Sequence, residues 1–465
     1  MQTFCRATFK LALLLPLLMS AARADDADRA LARSVLKELI EINTTDSVGD
    51  NTAAAEAVAR RLREAGFAAQ DVEVVVPAPR KGNVVARLRG AGKANPVLFL
   101  AHLDVVEARR EDWTYDPFQL VEKDGYFYGR GTQDIKGDAA LLIANFIRLK
   151  REGFQPERDL ILALTADEEG GRGPNGVAWL IGHRRPLIDA AFCVNTDAGG
   201  GQAKDGKRTL YTVQAAEKGY ASFLLTARNP GGHSSLPVRD NAIYDLAAAL
   251  LRVRDLRFPV DLNDVTRTYF ARSADFAAGQ DAADRHAVAH DPPDAAAAER
   301  LSREPYENAL LHTTCVATML SGGHADNALP QSATATVNCR LLPGESASAV
   351  EERLKAAAGP GIEVSVKIPA SPNPPSPLNP QVMKRVEQIV TSMWPGLPVV
   401  PEMETGGTDG KQLRGAGIPT YGISQMFGDL DDIRAHGKDE RIRVEYFYQG
   451  LDFGYRLMKE MAAAF

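Results

Sequence analysis

Cysteine is scarce in this sequence: four residues in 465, at positions 5, 193, 315 and 339. No two form a CxxC pair, which argues against thiolate zinc ribbons and thioredoxin-like redox chemistry. Cys193 sits in the apolar run Ala190–Val194 and reads as a core residue. Cys315 and Cys339 are candidates for a bridge in an oxidising compartment, but their spacing forms no disulfide framework. Basic runs are also missing. The net charge is −6, so nothing here invites nucleic acid as a partner. Beyond the first two dozen residues there is no long apolar run, which leaves no candidate membrane span.

Those first residues are different. Arg6 and Lys10 precede the apolar stretch Leu11–Met19, and Ala22-Arg23-Ala24 follows it before Asp25-Asp26. This order reads as a secretory leader, residues 1–24, cleaved after Ala24. An uncleaved anchor is the alternative, but the apolar stretch is short for a bilayer. Cleavage removes Arg6, Lys10 and Arg23 and leaves a mature chain of net charge −9. The expected location is the periplasm or the outside medium, with no membrane contact after cleavage.

Hydrophobic residues make up 45% and charged residues 25%, an ordinary globular composition with enough chain for two domains. Helical periodicity covers 28–42 and Thr52–Gly66. The apolar runs Val97–Ala101, Leu160–Leu164 and Ala190–Val194 read as buried strands, with Asp138–Arg151 as a crossover helix. That alternation predicts an α/β domain around a mostly parallel central sheet with flanking helices. The style changes near Tyr211: strand-like Ser222–Ala227, helical Asn241–Val253, an alanine-rich charged stretch over 264–310, then β-rich His312–Leu320 and Ala333–Leu342. Pro369–Pro380 holds six prolines in twelve residues and reads as a hinge or linker. The first style resumes with helical Gln381–Trp394 and strand-like Pro419–Ser424. The expected organisation is therefore a catalytic domain in two parts, 25–213 and 371–465, interrupted by a smaller α/β module, 214–370, that carries the 264–310 insertion.

The predicted strands end in metal-binding side chains. One gives His102-Leu103-Asp104, the next Asp167-Glu168-Glu169-Gly170-Gly171, and the third Asn195-Thr196-Asp197. Asp134 lies in the glycine-rich run Gly129–Gly137 that feeds the crossover helix. In a parallel α/β sheet the carboxyl ends of the strands share one edge, where ligands bind. Acidic and imidazole groups gathered there would repel one another without cations between them. Singly, each cluster has a bland reading as a solvated pair or a turn residue. Together they mark a site.

The ordered set HLD, GRGTQD, DEEGG, NTD and a late histidine resembles the co-catalytic zinc metallopeptidases that include aminoacylase, carnosinase-type dipeptidases, glutamate carboxypeptidase and succinyl-diaminopimelate desuccinylase. The resemblance implies a zinc-exopeptidase type of fold with an inserted lid and dimerisation domain, and two Zn2+ ions, with Co2+ or Mn2+ able to substitute. It implies that His102 and Asp197 hold one ion, Glu169 and His436 the other, and that Asp134 bridges them. Asp104 is expected to accept a hydrogen bond from the far ring nitrogen of His102 and fix its tautomer. Glu168 is the implied general base acting on metal-activated water.

In the inserted module, His233 within Asn229–Pro237 reads by itself as a solvent-facing turn residue, and the resemblance implies that it stabilises the tetrahedral oxyanion. In dimeric relatives it reaches in from the neighbouring subunit, so a homodimer is expected. Arg340 is the expected partner of a substrate carboxylate, because its planar fork suits bidentate recognition. Asn327 is expected near the scissile carbonyl, and Gly407 and Thr408 belong to a glycine loop whose backbone approaches the ligand. The implied activity is hydrolysis of an amide bond beside a free carboxylate, in a small peptide or an N-acyl amino acid. Asp197 leans towards the dipeptidase and acyl-amino-acid branches. The competing class is a non-catalytic peptidase-like binding module, which has no reason to keep Glu168 and five ligands together.

Overall fold

The computed structural model describes residues 14–170 and 173–465, with side chains from Asp26 onward. The expected leader, 1–24, lies outside the residues described to side-chain level, and Gly171 of the acidic motif lies outside the described residues altogether. The chain divides into two compact units. The first comprises residues up to Thr209, Lys384–Leu397 and Ser424–Phe465, and the second comprises Leu210–Met383 and Pro398–Ile423.

The first unit is a mixed α/β body. Helix α1 runs Leu14–Glu41 and α2 runs Asn51–Glu64. Asp50 caps α2 by accepting from the N–H groups of Thr52 at 2.8 Å and Ala53 at 3.2 Å, which satisfies donors the helix cannot. Gly66, at φ +94°, ends it. Strands β1 (Val72–Val75), β2 (Asn83–Leu88), β3 (Val97–His102), β4 (Leu160–Thr165) and β5 (Phe192–Asn195) pair in the order β1-β2-β4-β3-β5. β1 and β2 join antiparallel, while β4, β3 and β5 run parallel. Every residue of the last three strands is buried, which is why they read as continuous apolar runs. Helix α3 (Lys136–Arg151) buries thirteen of its sixteen residues. Each Leu, Ile or Phe it removes from water contributes roughly 1.5–3 kcal/mol. Register places His102 opposite Thr165 and Leu100 opposite Asn195, so the carboxyl ends of β3, β4 and β5 form one edge.

The second unit centres on an antiparallel sheet. After strand β6 (Lys207–Glu217), which crosses into this unit at Leu210, come strands β7 (Gly219–Arg228), β8 (Thr314–Gly322), β9 (Ser332–Leu341) and β10 (Ile362–Ile368), with helices α4 (Ala242–Arg254) and α5 (Ala347–Ala358). The sheet order is β8-β9-β7-β10. Phe223, Leu225, Val337, Leu246, Val350 and Leu354 form its core under α4 and α5. Residues 264–311 fold as four short helices, Asp264–Ser273, Gly279–Ala289, Ala295–Leu301 and Pro305–Leu311. Strand β11 (Val399–Glu404) runs parallel to β6, with Val399 opposite Tyr211.

One open question closes and one expectation changes. Cys315 and Cys339 sit directly opposite each other on β8 and β9 and form a disulfide; cross-strand register, invisible in their spacing, brings them together. The proline-rich segment is no free hinge within the second unit. Ser376 is 3% exposed, its N–H donates to Ala215 at 2.7 Å, its hydroxyl to the Thr420 carbonyl at 2.7 Å, and Tyr421 donates to Pro377 at 2.7 Å. Proline's missing donors leave only its carbonyls to bond, and side chains of neighbouring segments supply the donors. Among the described residues no helix is long and apolar enough to cross a membrane.

Candidate metal centre

His102 is the last residue of β3, Glu168 and Glu169 follow β4, and Asp197 follows β5. Asp134 enters from the loop before α3, and His436 from the loop between the short strands Phe427–Asp429 and Arg441–Arg443. All lie in the first unit. His102 is 2% exposed, with Nε2 3.1 Å from Asp134 Oδ1 and 3.6 Å from Asp197 Oδ1. His436 Nε2 stands 3.1 Å from Asp134 Oδ2 and 2.7 Å from Glu169 Oε1. The two oxygens of Asp134 therefore address two different imidazoles, each with a second carboxylate of its own. Glu168 joins the first set, since donor atoms of His102, Glu168 and Asp197 lie within 4.8 Å of one another.

Asp104 departs from expectation. Its main-chain carbonyl, not its carboxylate, takes His102 Nδ1, at 2.9 Å, while the nearer carboxylate oxygen stands at 3.6 Å. The carboxylate instead accepts the Glu169 N–H at 2.8 Å. The tautomer is fixed all the same, leaving Nε2 for the cluster.

The electrostatics are those of imidazoles and carboxylates packed against one another. Burial pushes the His102 imidazole down, but Asp197, Asp134 and Asp104 outweigh it and hold it well above the ordinary histidine range. Hydrogen bonds to Asp134 and Glu169 push His436 up to about 10. Burial raises Asp134, yet the two imidazoles on its oxygens hold it below the usual carboxylate range. Arg130, from the same glycine-rich run, turns its guanidinium onto Glu440 at 2.6 Å. Two imidazole nitrogens and at least three carboxylates, gathered in two overlapping groups, suit a pair of divalent ions such as Zn2+.

Sequence reasoning missed Glu440. It is fully buried, and burial pushes its carboxyl up against the pull of Arg130 and three backbone N–H groups. One oxygen accepts from Gly131 N at 3.0 Å, the other from Gln133 N at 2.7 Å and Asp134 N at 3.0 Å. Glu440 therefore sets the loop that presents Asp134. The available signal was Arg130, a cation inside a glycine-rich run that needed a partner.

The expected lid residues His233, Asn327 and Arg340 belong to the second unit, and so do Gly407 and Thr408, which were expected in the catalytic domain's second part. His233 is exposed, and its Nδ1 is engaged by Ser235, whose hydroxyl lies at 2.7 Å. Ser234 N–H donates to the Asn327 carbonyl at 3.0 Å, and His233 pairs with Ala328, so these two loops form one ribbon. The half-buried Arg340 lies over the Tyr220 ring at 5.0 Å. Thr408 is buried and donates to Glu217 at 2.9 Å, whereas Gly407 is exposed.

A parallel sheet whose strand ends carry this donor set defines a metal-binding hydrolase of the metallopeptidase type. The chain matches Peptidase family M20/M25/M40 over residues 98–460 and belongs to that family, whose members hydrolyse amide bonds. Among curated relatives, N-fatty-acyl-amino acid synthase/hydrolase PM20D1 of Homo sapiens is 28% identical over 376 residues, 78% of this chain and 74% of that one. Aminoacylase-1 of Homo sapiens is 26% identical over 447 residues, 92% and 95% of the two chains. Among solved structures, the M20 family metallo-carboxypeptidase Sso-CP2 from Sulfolobus solfataricus superposes with a TM-score of 0.70 at 17% identity, covering 93% of this chain and 99% of that one.

Proposed function

We propose that this M20 hydrolase cleaves the amide bond of an N-acyl amino acid or a short peptide beside a free carboxylate, using two zinc ions. The observation that carries the reading is Asp134, whose two oxygens address His102 and His436 separately. His102, Asp197 and Asp134 would hold one ion, and Glu169, His436 and Asp134 the other. When bound, such a pair supplies the Lewis acidity that brings a water's pKa towards ~7 and polarises a carbonyl. Glu168, beside His102 and Asp197, takes the proton from the attacking water and returns it to the leaving amine. His233 and Asn327 would donate to the oxyanion, and the Gly407–Thr408 backbone would border the substrate.

Arg340 would take the substrate's carboxylate. Burial and the charge of Arg340 push the neighbouring Lys218 down to about 7, and its Nζ is already given to the His312 carbonyl at 2.7 Å, so Arg340 is the permanent cation of this region. The relative named for N-fatty-acyl-amino acids and the one named aminoacylase favour an acyl amino acid over a long peptide. The free edge of β8, with Val316, Met319 and Leu320 exposed, supports a homodimer through the second unit. A fully active monomer in sedimentation would remove that part. The Cys315–Cys339 bond fits an exported protein, and a mature chain whose mass includes residues 1–24 would count against cleavage after Ala24.

The decisive test is Glu168→Ala in zinc-loaded protein, assayed on N-acyl amino acids and dipeptides with metal content measured in parallel. Turnover should fall by about 10²–10⁴-fold while both ions stay bound. Full activity in this variant would refute the assignment.

A further inference from the structure

The segment Lys81-Gly82-Asn83, at the start of β2, belongs to none of the motifs above, yet it brackets the turn that carries Glu168 and Glu169. Asn83 accepts the Ala166 N–H at 2.9 Å. Lys81 Nζ donates to Asp167 Oδ1 at 2.5 Å and to Asp46 Oδ1 at 2.7 Å. The other oxygen of Asp167 accepts the Gly173 N–H at 2.8 Å. Asp167 is 2% exposed and sits at φ +67°, in the left-handed region that side chains other than glycine enter at a cost. Such a conformation persists when its surroundings over-determine it. Here they do, because both carboxylate oxygens are held and there is little slack: a Cβ on Gly82 would meet Thr52 Cα at 2.6 Å, and one on Gly176 would meet Asn83 Oδ1 at 2.0 Å.

The turn has a consequence for the two residues after it. Glu168 reaches the His102–Asp197 group, while Glu169 reaches His436. Consecutive side chains leaving an extended strand would simply alternate between its faces. The left-handed residue just before them redirects the chain so that both serve one cluster. We propose that Lys81 is a positioning residue: by gripping Asp167 it holds the turn that aims Glu168 and Glu169 at their two targets.

The inference rests on the proposed hydrolytic role of Glu168, so its test needs a readout independent of turnover. Lys81→Met and Lys81→Arg are compared with the parent enzyme for kcat, KM and zinc affinity, the last by competition with a chromogenic chelator. In folded, zinc-loaded Lys81→Met, kcat should fall about 10–100-fold with KM changed less than about threefold. One zinc site should weaken about tenfold, because Glu169 leaves the same turn, and Lys81→Arg should recover most of both. A lower melting temperature with unchanged kcat and zinc affinity would overturn the proposal and leave Lys81 a stability residue. Should Lys81→Met not fold, Asp167→Asn replaces it, since asparagine tolerates this backbone but breaks the ion pair. Unchanged kcat and zinc affinity there would overturn the proposal equally. If the parent enzyme cleaves no amide substrate, the functional reading fails, and the zinc affinities still decide the role of Lys81.

Discussion

In the first unit Asp134, Glu169 and Asp197 meet around two imidazoles, whereas in the second unit Glu402 lies 6% exposed beside the acidic Glu404. The second site offers Glu402 one hydroxyl, that of Thr212 at 2.6 Å, and among the described residues no metal-ligating group forms there. Burial and the charge of Glu404 push Glu402 up to about 8. Buried negative charge must be neutralised. Histidine and several carboxylates at strand ends make neutralisation by dications available. A glutamate on a buried strand with another acid as its neighbour takes a proton. The difference lies in what surrounds the acid, and both halves of it can be tested.

The largest effect is expected where the first unit's acids are held apart by their surroundings. Glu440→Gln keeps the shape but places an amide N–H₂ against donors, either Arg130 and Gly131 N or the backbone of Gln133 and Asp134. The loop presenting Asp134 should loosen, with metal affinity falling about 10–100-fold, read as zinc retained after dialysis. Unchanged retention would mean that the Asp134 loop needs no such clamp, and the contrast with Glu402 would weaken. A smaller effect belongs to Arg340→Met. If Arg340 takes a substrate carboxylate, losing a charged hydrogen bond should raise KM about tenfold or more and leave kcat nearly unchanged. A drop in kcat with KM constant would move Arg340 from binding to chemistry.

What the sequence disclosed follows from the same physics. β3, β4 and β5 were legible because strands buried on both faces must be apolar throughout, and their ligands were legible because acids seldom follow such runs in glycine-flanked motifs. His436 was not legible from its surroundings, which look like any charged loop; only the resemblance singled it out. Glu440 and Lys81 were hidden for a further reason. Their importance lies in a partner hundreds or tens of residues away, and a lone charge in Lys438-Asp439-Glu440-Arg441 or Pro79-Arg80-Lys81 reads as solvated surface. The proline-rich segment misled in the opposite sense. Composition said that it cannot form helix or sheet, but not that Ser376 would anchor it by two hydrogen bonds. The disulfide required the register of β8 on β9, which no spacing of 24 residues conveys.

The smallest effect is a matter of sign. Glu402 carries a folded-state value near 8 against an ordinary unfolded carboxyl near 4.5. Between these values the folded chain keeps a proton that the unfolded chain releases, so this group's contribution falls as pH rises and levels off above about 8. Two buried lysines act the other way. Lys136, pushed down to about 7 by burial against the pull of Glu440 and Asp104, and Lys218, also near 7, lose protons in the folded chain that the unfolded chain keeps, so their contributions rise with pH above 7. The parent protein's own slope is therefore a net of opposite terms and tests nothing alone. The stability difference between parent and Glu402→Gln isolates the carboxyl, because both lysines cancel. From pH 5.5 to 7.5 that difference should shift against the parent by about 1.4 kcal/mol per pH unit, read from denaturant unfolding at each pH. A difference that stays flat would show Glu402 ionised at neutral pH, held by some cation after all, and the contrast between the two units would disappear.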